Sequence, residues 1–297
     1  MGVGAESSID QIFDPEKLLG AIAKYRSMDL RSASLSSVKE NFNFITTFNL
    51  IVVNFGECPV FRARKIENSE EHNNKSDIWS PPVEKARLCR ANAEGESIFY
   101  GAFDPVTAIR EIKLQTGDSF TLGSFWLSSM EDDFRSSIVV AIPKRTHAWS
   151  RNQHLHSMIL SNFMFSEFTR PVGFGTEFQY KASCAISELL LDSPHKDSLI
   201  YPSMCDFNSY NIVIQNDSAE NRLRPTQIFK CTLDGWSDEQ NPIISIVAEG
   251  RCEAGNGKIQ YSAFHPDAKG FELTPTKFFK GGNPNQLLAG ALSTYVL

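Results

Sequence analysis

The sequence has no paired cysteines of the CxxC kind. Its six, Cys58, Cys89, Cys184, Cys205, Cys231 and Cys252, are scattered singly along 297 residues. That spacing offers neither a zinc ligand set nor a disulfide framework. The apolar setting of residues such as Cys184, in Ala-Ser-Cys-Ala-Ile, predicts buried free thiols. No apolar run approaches the roughly 20 residues that a membrane span needs. The first residues, Met-Gly-Val-Gly-Ala-Glu-Ser-Ser, lack the basic start and apolar stretch of a secretory leader, so a reducing cytoplasm is the expected compartment. Positive charge is also short: 29 Lys and Arg stand against 35 Asp and Glu, for a net charge of -6. The basic excess of a nucleic-acid-binding surface is therefore missing. Gly173-Phe174-Gly175 lacks the third glycine and the strand–helix context of a dinucleotide fingerprint, and there is no GxSxG elbow or P-loop. His154 and His156 are two apart and do not share a helix face, so they are not expected to hold a metal.

What the chain does contain is the material of a globular core. Apolar residues make up 41% and charged residues 22%, a balance that favours folding over disorder. The 22 Phe residues read first as core filling. The length suits one large domain or two modest ones. The first 50 residues read as helical, with Asp14-Pro15 as N-cap and first position and with Leu18, Leu19, Ile22 and Tyr25 at helical spacing. A second helix is expected from Val38 to Phe48. The polar stretch Glu67 to Asp77 predicts an exposed loop. Strands are expected at Ser97–Phe103, Ser119–Leu127, Ser137–Ile142, Leu199–Tyr201 and Tyr210–Ile214, and helices at 150–169 and Ala182–Leu191. Further on, Ile228–Leu233, Ile243–Glu249 and Lys258–Phe264 read as strands before a helical tail from Gln286. Helices and strands do not alternate strictly, so the expected class is α+β. It divides into a helical N-terminal extension (1–50), a central domain (51–220) and a mostly β C-terminal extension (221–297) packed on the core.

Reactive side chains concentrate between Arg90 and Glu111. Asp104-Pro105 starts a helix on which Val106, Ile109 and Ile112 share one face. Glu111 falls on the other side, near Thr107, and on periodicity alone it is a solvated carboxylate. Arg62 and Arg64 alternate within a strand and are expected to face opposite sides, one of them as an ordinary surface residue. Tyr100, in an apolar strand, reads as core, and Ser203 as a turn hydroxyl. The small basic clusters Phe61–Lys65 and Ala86–Arg90 suit an anionic small molecule better than a polymer.

Taken in order, several segments resemble the RES domain, a family named for its Arg, Glu and Ser. They are Phe61-Arg62-Ala63-Arg64, Trp79-Ser80-Pro81-Pro82, Arg90-Ala91-Asn92 with Gly95 and Tyr100, Thr107-Ala108-Ile109-Arg110-Glu111, Tyr201-Pro202-Ser203 and Asn211-Ile212-Val213. The resemblance covers roughly residues 55–215. It implies an ADP-ribosyltransferase-like RES core and an enzyme that degrades NAD+ by cleaving the nicotinamide–ribose bond. The acceptor is water, or phosphate as a co-substrate. Protein ADP-ribosylation and a catalytically silent interaction module are the alternatives. By the same resemblance Glu111, Arg62 and Ser203 are the catalytic residues, and Arg64, Arg90, Asn92, Tyr100 and Asn211 bind the dinucleotide. The second Arg of the first motif and the extra Arg87 leave open which arginines hold the pyrophosphate. NAD+ is then a substrate, and no cofactor or metal is expected. The implied biology is a toxin with an antitoxin protein as partner. Direct nucleic-acid or membrane binding is not expected, and a homo-oligomer is compatible.

Overall fold

The computed structural model describes residues 13–47, 52–53, 58–67, 71–128, 134–139, 142–143, 149–192, 197–206, 209–253, 256–264, 269–273 and 295–296. The expected α+β class holds. Helices α1 (Pro15–Arg26), α2 (Leu35–Glu40), α5 (Arg151–Phe168) and α6 (Tyr180–Leu191) form a layer on one large sheet. The strands of that sheet run in the order β1 (Val52–Val53), β5 (Ser136–Ile138), β7 (Ser198–Pro202), β8 (Tyr210–Gln215), β3 (Ile98–Ala102), β2 (Cys58–Lys65), β4 (Ser119–Leu127), β9 (Leu223–Trp236), β10 (Pro242–Cys252) and β11 (Ile259–Ala263). A short β12 (Phe271–Glu272) also pairs with β10. All of these pairings are antiparallel except β5 with β7. The central strands are buried on both faces, so their side chains divide by parity. Leu199, Tyr201 and Val213 meet the helical layer, while Ile200, Ile212 and Ile214 enter a second core with Val60, Phe99, Phe125 and Leu127.

Local chemistry accounts for most boundaries. Asp14 accepts hydrogen bonds from the backbone N–H groups of Glu16 (2.9 Å) and Lys17 (3.2 Å), which starts α1 as its sequence predicts. The single helix expected over 38–48 is instead α2 followed by a 3-10 turn at Asn43–Thr47. Asn41 donates its side-chain amide to the Ser37 carbonyl at 2.8 Å, satisfying a group that a continuing helix would have used. The stretch from Glu67 to Asp77 is not wholly an exposed loop. His72 is buried with Nδ1 2.9 Å from Thr121 Oγ1, and Lys75–Ile78 forms a one-turn helix, α3, closed by a capping box between Asn74 and Asp77. The helical tail expected from Gln286 lies outside the described residues up to 294. Tyr295–Val296 (β13) pair with Ile142–Pro143 (β6). Among the described residues no helix is long and apolar enough to cross a membrane.

The C-terminal strands are not a separate layer. From α7 (Asn216–Arg222) the chain passes straight into β9, which pairs with β4 from Leu127↔Leu223 to Ser119↔Thr232. On this side a third core joins Phe61, Ala63, Val106, Ile109, Phe120, Phe229 and Ile244. Helix α4 (Pro105–Glu111) packs on it.

Candidate active site

The site arises where the sheet comes apart. β2 pairs with β4 along its whole length, from Cys58↔Leu127 to Lys65↔Phe120, but meets β3 only at Phe61↔Ala102. Beyond that point β2 and β3 diverge and expose backbone groups that the ladder would otherwise satisfy. The guanidinium of Arg62 takes up one of them, its Nη1 donating to the Tyr100 carbonyl at 2.6 Å. Gly101 sits at the divergence. A Cβ there would collide with Val60 Cγ1 and lie 3.1 Å from the Phe61 carbonyl oxygen, so the close approach requires glycine. The opening is a cavity of about 640 Å³, within the usual range for small-molecule sites.

Glu111, the last residue of α4, lines this cavity. Asp104 starts the helix by accepting from the Thr107 N–H (2.8 Å) and hydroxyl (2.5 Å). Val106 and Ile109 are buried in the core beside β2, as the helical periodicity predicts. Glu111 lies off that face, but it is not simply solvated. Its Oε1 accepts from Ser203 Oγ at 2.6 Å and from Asn211 Nδ2 at 2.7 Å. Ser203 Oγ in turn accepts from the Cys205 N–H at 3.0 Å, which fixes the hydroxyl so that it donates to the carboxylate. Ser203 and Asn211 are both buried. Both donors are neutral, and Oε2 has no hydrogen-bond partner among the described residues. Tyr201 also lines the cavity, and burial together with the Glu111 charge raises its hydroxyl pKa well above the ordinary range.

Six cationic side chains border the cavity, Arg62, Arg64, Lys65, Lys85, Arg87 and Arg90, against two carboxylates, Glu67 and Glu111. This local excess stands out in a chain whose net charge is -6, and low-dielectric walls concentrate its field on an anion. Arg62 and Arg64 do not face opposite sides. Residues two apart on a strand share a face, and both arginines line the cavity. Arg62 lies 5.4 Å from the Phe99 ring centroid, and its Nε has no hydrogen-bond partner. Burial and, secondarily, the Arg64 charge lower its pKa to about 10, so it remains a cation at neutral pH. Lys65 is engaged by Asp118 at 2.6 Å. Arg64, Lys85 and Arg87 form no ion pair among the described residues.

The remaining expected residues line the cavity but hold its wall together. Arg90 donates to the carbonyls of Phe168 (2.7 Å) and Arg170 (3.0 Å), contacts the Met204 sulfur and lies 5.3 Å from the Tyr180 ring centroid. Asn92 is buried and spans the Arg87 and Ala93 carbonyls at 2.9 and 2.8 Å. Its Oδ1 accepts from the Tyr100 hydroxyl at 2.7 Å, and that hydroxyl also receives the Ala91 N–H at 3.0 Å. The Tyr100 hydroxyl is therefore already used within the wall. Sequence reasoning missed Tyr180, the first residue of α6, which lines the cavity half-buried. No local pattern marks it. Lys85 was likewise passed over, and Lys65 entered only as part of the basic cluster Phe61–Lys65. Among the described residues no group of His, Cys, Asp and Glu is placed to hold a metal ion.

The RES domain family model matches residues 59–234, a span that includes Arg62, Arg64, Arg90, Asn92, Tyr100, Glu111, Ser203 and Asn211. No curated protein sequence matches the chain. Because the match covers more than half of the chain, this protein belongs to the RES-domain family.

Proposed function

We propose that the cavity binds NAD+ and that Glu111 promotes cleavage of its nicotinamide–ribose bond. One observation carries the reading: a carboxylate held by two neutral donors, with its second oxygen unpartnered among the described residues, lining a cavity bordered by cations. When the C–N bond breaks, its electron pair leaves with nicotinamide and the ribosyl carbon becomes oxocarbenium-like. A fixed carboxylate stabilises that charge. Ser203 and Asn211 hold Oε1, which leaves Oε2 for the ribose. Arg62 and Arg64, side by side on β2, suit the pyrophosphate, because guanidinium groups bind phosphate oxygens in pairs. Arg90 is committed to backbone carbonyls and acts by shaping the wall. Tyr100 offers its ring face to a nucleotide base.

The acceptor completes the reaction. Water attacking the ribosyl carbon and losing a proton gives ADP-ribose. Inorganic phosphate gives ADP-ribose carrying a phosphate at the same carbon. The biological reading that accompanies this chemistry is a toxin that depletes NAD+ and is restrained by an antitoxin protein. To test the reaction, purified protein is incubated with NAD+ with and without phosphate, and nicotinamide and the ribosyl product are followed by chromatography. Release that disappears in Glu111→Gln supports the reading. Release that persists in the variant, or none from the wild type, refutes it.

A further inference from the structure

We propose that Arg110 is a positioning residue that fastens the catalytic carboxylate to the C-terminal strands, beyond the end of the RES-domain match. The proposal rests on the reading of Glu111 given above. Arg110 and Glu111 are consecutive at the end of α4, and both grip the segment that follows β7. Glu111 receives the Ser203 hydroxyl, and Arg110 Nη1 lies 3.5 Å from Asp206 Oδ2. The other edge of the Arg110 guanidinium points the opposite way. Its Nε and Nη2 donate to the Gln240 carbonyl at 3.0 and 2.9 Å, and Nη2 also reaches the Glu239 carbonyl at 3.4 Å.

The acceptor is built for this contact. The turn joining β9 to β10 is closed by the Gln240 N–H on the Ser237 carbonyl (2.9 Å) and the Ser237 N–H on the Asn241 carbonyl (2.9 Å). Gln240 takes a left-handed conformation, with φ of 59°, which a side-chain-bearing residue adopts only when its surroundings hold it there. Residues 237–241 lie outside the match, which ends at 234. The planar fork of arginine can serve a carboxylate and two carbonyls together, whereas a lysine ammonium cannot reproduce that geometry. The guanidinium thus ties three separate stretches, α4, the Ser203–Asp206 segment and the β9–β10 turn, at the residue adjoining the carboxylate. Arg110 does not line the cavity, so it acts through Glu111 and Ser203 rather than on the substrate.

The test combines two readouts on the full chain. Nicotinamide release gives kcat and KM, and hydrogen exchange follows the amides of Ser203 and Cys205, which are hydrogen-bonded to the Ser209 carbonyl and the Ser203 hydroxyl. Arg110→Ala is expected to lower kcat by about tenfold to a hundredfold, since small displacements of a catalytic group are costly. KM should stay nearly constant. Exchange should quicken in peptides covering 202–206 and 236–242 and stay unchanged in β2 and β4. Arg110→Lys should recover only part of kcat, and Asp206→Asn, which neutralises the carboxylate facing Arg110 Nη1, should fall between the wild type and Arg110→Ala. Unchanged exchange at Ser203 and Cys205, unchanged kcat in an active protein, or full recovery by lysine overturns the proposal. If Arg110→Ala does not fold, Arg110→Lys and Asp206→Asn decide by the same criteria. A wild type that releases no nicotinamide overturns the reading of Glu111 as catalytic, and the exchange data still decide whether Arg110 fastens the segment.

Discussion

Two glutamates each receive two hydrogen bonds and are treated in opposite ways. Glu167, near the end of α5, is buried under the helical layer, where its Oε2 accepts from the Tyr25 hydroxyl (3.0 Å) and its Oε1 from Arg170 Nη2 (2.7 Å). Glu111 also receives two donors, but both reach the same oxygen and neither is charged. In Glu167 both oxygens and the charge are answered within the protein. In Glu111 one oxygen and the whole charge remain available. A buried carboxylate that is fully matched joins α1 to α5, whereas a half-buried one that is left partly unmatched is poised to meet a cation that develops during reaction.

Substitutions can break or sharpen this contrast. The largest effect is expected from Glu111→Gln, which removes the charge but keeps the shape, and should lower kcat for nicotinamide release by about a thousandfold. Its urea midpoint should stay close to that of the wild type. A variant that loses stability instead of turnover would place Glu111 with Glu167 as a structural group. Arg170→Ala attacks the other member, since it leaves a buried carboxylate with the Tyr25 hydroxyl as its remaining hydrogen-bond donor among the described residues and should cost about 3 kcal/mol in urea unfolding. Loss below half of that would mean that the pair is less confined than its geometry indicates.

Smaller effects separate the donors from each other. Ser203→Ala and Asn211→Ala each leave Glu111 one hydrogen bond, and each should reduce kcat by about tenfold, the worth of one bond to a charged group. Steady-state kinetics that show a change in KM alone would assign these residues to substrate binding instead. The last difference concerns pH. Burial raises the Glu167 pKa despite Arg170 and Tyr25, so the folded protein holds this proton more tightly than the unfolded chain. Its contribution to stability is then greatest in acid and declines as pH rises from the ordinary glutamate range through the raised value. Urea titrations at several pH values should show the wild type losing ground to Glu167→Gln across that window. Parallel stabilities would contradict it.

Much of the architecture was legible because it follows from local rules. The Asp14-Pro15 and Asp104-Pro105 starts, the strand at Ser119–Leu127 and the placement of Glu111 off the apolar face all come from short-range pattern and capping. What was not legible depends on how the chain closes on itself. The divergence of β2 from β3 leaves no sequence mark beyond Gly101, and Tyr180 enters the cavity from a helix about 80 residues after Tyr100. The expectation for Arg62 and Arg64 failed for another reason, a parity misreading that strand geometry corrects. Arg90 and Asn92 carry motif positions, yet their polar atoms serve backbone carbonyls and Tyr100, which only the folded loop reveals.

The long sequence separation between Glu111 and its donors has a consequence for how such a protein is made. Ser203 and Asn211 lie 92 and 100 residues further along the chain. A chain still on the ribosome and shorter than that has the carboxylate but nothing to hold it, because synthesis runs from the N-terminus. No nascent fragment that stops short of β7 contains a formed site. For a protein proposed to degrade NAD+, activity then waits until β8 has left the exit tunnel.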